Sequence, residues 1–427
     1  MADDTEFRFV TASVRRAARL QREYVDSFLE TAGSQRAIGE QFAELCNKIE
    51  PVVSDYEQRH AATTDALYRR LILNGVRELL AWTRNLQLRC AWLDAAAKPP
   101  IDLGSLYYLR GLAKAIVRSD SEFTVVAAHE GSYATVVNPF RVPSMPVPAG
   151  IVLVALVPHR EIRSGLLHPL LAHEIGHGVA KVHGYTEQLR TKVTPGRIEK
   201  MLARGAQETA KESKRAVTEE RAVLDKRLGA WIEEIFCDAV ATACLGATYL
   251  FSFATEVLPD EVDAAGLKHP PTRQRVRLIL AHLDRLGWGP IIDREAPGFA
   301  AWVRGVASAP PTPQKPADEA LRKAIDLAAR RIQGAVDKHV AANIVKPDEK
   351  ALASVAALLE QHVPPAQHDD GTPIARPMII AGCWLSAMKT RSGDVEALAD
   401  AVDSDEVGQL LPYALELSVI VDRWQTA

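Results

Sequence analysis

Residues His173-Glu174-Ile175-Gly176-His177 leave little choice of local structure. On a helix, positions four apart lie about 40° apart in rotation, so both imidazoles face one side and can take one Zn²⁺. Glu174 stands beside them, where its carboxylate reaches a water on the metal rather than the metal itself. Pro169 suits a first helical position and Gly184 a helix end, which predicts a helix over 169–184. Leu170, Leu171, Ile175 and Val179 make that helix apolar enough to be buried. Zinc brings the pKa of a bound water towards neutrality, and a carboxylate then suffices to take its proton and pass it to a leaving amine. The pattern points to peptide-bond hydrolysis.

The surroundings set the fold class. Between Glu122 and Pro158, short β-branched runs separated by Gly, Ser and Pro read as strands. From Thr11 to Lys114, apolar residues recur at three and four, the mark of helices. Arg197–Leu228 alternates in charge and reads as a long solvated helix, followed by an apolar helix over Ala230–Val257. Ala307–Ala317 holds four prolines in eleven residues and reads as a linker, with a further Ala-rich helical stretch beyond it. The expected fold is mainly α with a small β-sheet, an α+β architecture with a zincin-like core. Its expected domains are a helical one over 1–120, a metallopeptidase domain over 121–306, a linker over 307–317 and a helical domain over 318–427.

Charge and cysteine usage narrow the function classes. With 51 Lys+Arg against 54 Asp+Glu the 427 residues carry a net charge of −3, so no basic excess exists for a nucleic-acid backbone. Five cysteines, scattered and never spaced Cys-x-x-Cys, argue against a disulfide framework or a cysteine zinc site. The start MADDTEFRFV is acidic, unlike a secretory leader, which points to a cytoplasmic chain. The longest uncharged stretch, Ala239–Thr255, is 17 residues interrupted by Thr, Ser and Gly. It reads as a buried helix rather than a membrane span.

Zinc needs a third protein ligand, and two candidates compete. His183 lies six residues beyond His177, the spacing of metzincins, but Ala180 stands where their helix-breaking glycine would be. A helix that runs on carries His183 about 120° round, off the metal face. Glu234 and Asp238 are four apart on the later apolar helix and share a face, so Glu234 can ligate while Asp238 holds the second nitrogen of a zinc histidine. Glu233 is the fallback, although its position four along is Cys237. In His269-Pro270-Pro271-Thr272-Arg273-Gln274-Arg275, His269 precedes a helix start and could donate to a developing oxyanion, and Arg275 could orient the end of the site. From these residues alone, a proline-started helix with solvated arginines is the favoured reading.

Together, HEIGH, EIFCD and HPPTRQRV resemble the gluzincin zinc peptidases, most closely the CAAX-prenyl endoprotease and HtpX-like family. Order and offsets agree over Tyr133 to Leu280, and NPFRVPSMPVPAGIVLV is similar to that family's Asn-Ala-Phe and strand segment, with Pro139 in place of alanine. The resemblance implies His173, His177 and Glu234 as ligands of one Zn²⁺ per chain, Glu174 as general base and Asp238 behind a ligand histidine. It also implies His269 and Arg275 as auxiliary residues. Members of both named types are membrane proteins, whereas this sequence lacks convincing spans, so a soluble relative acting on protein or peptide is expected. Protein partners could use the helical flanks. The alternative is a helical regulatory or interaction protein whose zinc site is structural or silent. The charged segment Tyr185–Leu228, with few apolar residues beyond Val217, Val223, Leu224 and Leu228, is expected to act as a movable lid.

Overall fold

The computed structural model describes residues 2–31, 36–97, 100–128, 133–138, 151–158, 162, 164–193, 196–210, 214–258, 262–310, 312, 314–389 and 405–426. Sixteen α-helices and one three-stranded sheet occur among them, the mainly helical α+β architecture expected. Contacts sort the chain into two compact units. One comprises Met1–Pro100, Asp120–Ala127 and Val136–Val154, and the other the remainder.

The first unit is dominated by three long helices, α1 (Ala2–Thr31), α2 (Arg36–Ala62) and α3 (Ala66–Ala97). Phe7, Val10 and Val14 recur at three and four on α1 and meet Ile49 and Val53 of α2 and Ile72, Val76 and Leu79 of α3. The buried His60 stacks on Phe7 with ring centroids 3.9 Å apart, so it belongs to this core.

Strands β1 (Ser121–Ala128), β2 (Ala134–Val137) and β3 (Ile151–Pro158) pair in the order β1-β3-β2. The central β3, IVLVALVP, is buried along nearly its whole length, which is why it lacks polar alternation. β2 is a short edge strand. It ends at Asn138, whose φ of 48° is tolerated because its side chain accepts from Val152 N at 2.9 Å. Most of the NPFRVPSMPVPAG segment lies outside the described residues.

The second unit contains the helices that carry the motifs. α4 (Leu103–Ile116) is capped by Asp102, whose carboxylate accepts from Ser105 N. α5 (Leu170–Val182) carries His-Glu-x-x-His and ends before Gly184, which takes a φ of 64°. α6 (Tyr185–Val193), α7 (Arg197–Thr209) and α8 (Lys214–Leu245) follow, then α9 (Ala247–Glu256) and α10 (Thr272–Leu286). After α11 (Gly289–Glu295) and α12 (Pro297–Ser308) come α13 (Pro316–His339), α14 (Glu349–Glu360), α15 (Arg376–Lys389) and α16 (Asp405–Thr426). α8 is the spine: α5, α6, α7, α10 and α13 all pack on it. α5 approaches closest at Gly176, where a Cβ would stand 2.8 Å from Cys237 Cα.

Two expectations are corrected. The charged and apolar stretches either side of Gly229 form one helix, α8, because a change of charge density does not break a helix. The break falls at Gly246, where φ is 61° and the Trp288 indole fills the space a Cβ would need. Further, α7 is not loosely held, since Ile198, Leu202 and Ala206 are buried and the helix packs on α13. A Cβ on Gly205 would lie 2.7 Å from Ala320 Cβ. That stretch of the expected lid is scaffold. Among the described residues, no helix is long and apolar enough to cross a membrane, and Gly246 divides the uncharged run at 239–255 between α8 and α9.

Candidate metal centre

α5 and α8 cross tightly enough at Gly176 for their side chains to interlock on either side of the contact. His173 is buried, with Nδ1 2.9 Å from Asp238 Oδ1 and Nε2 3.4 Å from Glu234 Oε2. His177, one turn on, places Nδ1 2.9 Å from Glu233 Oε1 and Nε2 3.6 Å from Glu234 Oε1. Both rings thus turn one nitrogen to a supporting carboxylate and the other to the same acid. They meet edge to face, with centroids 5.1 Å apart.

The supports are themselves held. Thr186 Oγ1 donates to Glu233 Oε2 at 3.0 Å. Asp238 accepts from Arg275 Nε at 2.8 Å and Nη2 at 2.7 Å, and from the Tyr249 hydroxyl at 2.6 Å. The Arg275 guanidinium also lies over the Phe253 ring, 4.8 Å from its centroid. Glu174, buried beside His173, accepts a hydrogen bond from Thr135 Oγ1 of β2 at 2.7 Å.

Electrostatics follow from this packing. Burial would raise the Asp238 pKa, but Arg275 and His173 outweigh it and hold the carboxyl well below its usual range. Glu234 is likewise held down against burial, chiefly by His173 and then His269. Burial would lower His173, yet Asp238 and Glu234 raise it to about 10. Burial, helped by the surrounding acids, pushes the Cys237 thiol well up. Four carboxylates around two imidazoles and one guanidinium make a cluster suited to a cation.

The donor set also fits a metal in a more specific respect. Glu234 Oε2 is buried and has no hydrogen-bond partner, although two imidazoles and a guanidinium surround it. Buried polar atoms are nearly always satisfied, so an orphaned carboxylate oxygen needs an explanation. His269 Nδ1 stands 3.0 Å from it, on a side chain that is 58% exposed. Donor atoms of His173, His177 and Cys237 also lie within 4.8 Å of one another, the only such group among the described residues. A potential metal-activated site is present, with two alternative third donors.

The remaining candidates sort clearly. His183 caps the end of α5, and its Nε2 bonds the Val117 carbonyl at 2.7 Å. Its ring packs with Tyr185 and His339, not with the histidine pair. Arg275 is buried on Asp238 rather than solvated, and His269 is the exposed member of the group. Sequence reasoning missed Thr135, Tyr249 and the support from Glu233. The chain matches no protein family, no curated protein and no solved structure.

Proposed function

We propose that this chain is a zinc-dependent metalloendopeptidase of the gluzincin type, with His173, His177 and Glu234 holding one Zn²⁺ and Glu174 as general base. The orphaned Glu234 Oε2, 3.4 Å from the Nε2 of His173 while Asp238 holds that ring's Nδ1, supports the reading. When bound, zinc supplies Lewis-acid polarisation and a more acidic water. Glu174 takes a proton and returns it to the leaving amine, its carboxylate oriented by Thr135. His269, on the exposed side of Glu234, donates to the developing oxyanion, while Arg275 acts through Asp238 and Glu234. The substrate is a protein or peptide chain laid in extended form along the edge strand β2.

Cys237 favours a second reading, a structural site ligated by thiolate. It is the weaker one, because the cysteine is pressed against Gly176 where the two helices cross. Protein purified without chelator, analysed for metal and substituted with Co²⁺, separates the two. A gluzincin site holds one zinc, loses it in Glu234→Ala, and shows no thiolate charge-transfer band. Glu174→Gln keeps the metal and stops the appearance of new protein termini in cells. Absence of zinc overturns the proposal, and a thiolate band that disappears in Cys237→Ser replaces it with the structural site.

A further inference from the structure

We infer that the Trp231 indole, with the Arg227 guanidinium over it, positions His269 against Glu234. The inference rests on the oxyanion role proposed above for His269. Residues 227, 231, 234 and 238 are spaced four, three and four apart, so they share a face of α8. One half of that face carries Glu234 and Asp238. The other half holds the loop over 262–271 that leads into α10. Trp231 Nε1 donates to the Gly266 carbonyl at 3.2 Å, and Arg227 Nη2 donates to the same oxygen at 3.3 Å. A buried indole N–H needs an acceptor, and many would serve. Here a second donor is committed to the same atom, since Arg227 Nη1 pairs with Asp318 at 2.7 Å while its buried Nε has no hydrogen-bond partner among the described residues. The guanidinium carbon lies 5.3 Å from the centroid of the Trp231 ring, so the two donors brace each other.

Between Gly266 and His269 the loop closes on itself. Gly266 N donates to the His269 carbonyl at 3.1 Å, and a Cβ on Gly266 would stand 3.3 Å from that oxygen and 3.5 Å from His269 N. Fixing Gly266 therefore fixes the His269 backbone. The loop is fastened twice to one helix face, by the Gly266 carbonyl on Trp231 and by His269 Nδ1, 3.0 Å from Glu234 Oε2. Its other end is tied separately, through Arg273 N to the Val262 carbonyl at 2.9 Å and Gln314 Nε2 to the Asp263 carbonyl at 2.6 Å. Trp231 thus governs the His269 end alone. That end needs a hold from below, because the His269 side chain is mostly exposed and packing does little to fix it. An oxyanion donor acts only from about 3 Å, and a misplacement of about 1 Å costs on the order of 100-fold in rate.

Amide exchange and kinetics on the full chain, with fluorescein-labelled casein as substrate, test this. In Trp231→Phe, which keeps an aromatic ring but loses the donor, the Gly266 amide should exchange at least about tenfold faster while the amides around Glu234 keep their protection. Zinc content and KM should stay unchanged and kcat should fall about tenfold. Gly266→Ala, on a loop outside the core, is the second variant, since its methyl group presses on the His269 backbone itself and should lower kcat in the same way. Neither substitution should lower kcat further once His269 is already Ala, because residues that act through one group are not additive. A Gly266 amide as slow in Trp231→Phe as in the unaltered chain overturns the inference, whatever the activity. So does a loss of kcat that persists undiminished in the His269→Ala background, which would mean that the indole acts elsewhere. If the chain holds no zinc, or if His269→Ala leaves kcat untouched, the failure lies with the peptidase reading or with the place of His269 in it. The exchange of the Gly266 amide then decides by itself whether Trp231 holds the loop.

Discussion

Asp238 accepts from Arg275, Tyr249 and His173 at once, which makes it both the anchor of the His173 imidazole and the counter-charge of a buried guanidinium. The two roles separate by substitution. Asp238→Asn keeps the shape but loses the charge, and zinc affinity should fall by roughly 10- to 100-fold in competition with a chelator. Arg275→Met leaves the acid buried and uncompensated, so urea unfolding should show about 3–5 kcal/mol of lost stability. Away from the site, Asp263 accepts from Arg273 Nε at 2.7 Å and Nη2 at 3.0 Å, and from Thr312 Oγ1 at 2.8 Å. The Arg273 bond, opposed by burial and joined by Thr312, lowers the Asp263 pKa to about 2. A depressed carboxylate contributes stability that is present above its unfolded value of about 3.9 and is lost as pH falls through its native value. Asp263→Asn should therefore lower stability at pH 6 and flatten the loss between about pH 4 and 2. An acid limb identical in both proteins would show that the pair contributes nothing.

Among the elements, the crossing of α5 and α8 decides the site's dimensions, because the two histidines come from one helix and Glu233, Glu234 and Asp238 from the other. Gly176→Ala forces a Cβ to within 2.8 Å of Cys237 backbone, which cannot yield as a flexible side chain would. It should cost about 1–3 kcal/mol and weaken zinc binding by spreading the donors. Gly205→Ala, at the contact of α7 with α13, should cost a similar amount and leave zinc content intact. Equal zinc loss in both would mean that global destabilisation, not donor spacing, sets affinity. The same elements show what a sequence discloses. α5 was legible because Pro169, Gly184 and the apolar spacing agree, and the shared face of Glu234 and Asp238 follows from helical phase alone. The length of α8 was not legible, since charge patterning reports solvation and not hydrogen-bond continuity. Neither was Thr135, which reaches Glu174 across 39 residues of sequence, nor Tyr249, which reaches Asp238 only because Gly246 turns α9 back on α8.

At the scale of the whole molecule, the two units differ in what they contain. The core around Phe7, Val14, Ile49 and Val76 holds no donor of the cluster, whereas Thr135, His173, Glu174, His177, Glu234, Asp238, Tyr249, His269 and Arg275 all belong to the second unit. A ligand stabilises only the state that binds it, by an amount that grows with the logarithm of its concentration over its dissociation constant. Zinc at about a thousandfold excess should therefore add roughly 4 kcal/mol to the second unit and nothing to the first. In scanning calorimetry, removing the metal should lower one transition by about 10 °C and leave the other in place. A chain lacking Met1–Pro100 should retain one zinc with unchanged affinity and show only the zinc-sensitive transition. If both transitions of the full chain move together, folding of the two units is coupled. If the shortened chain folds but binds no zinc, residues of the first unit are needed to hold the donors in place, and the site is not the property of α5 and α8 that their geometry suggests.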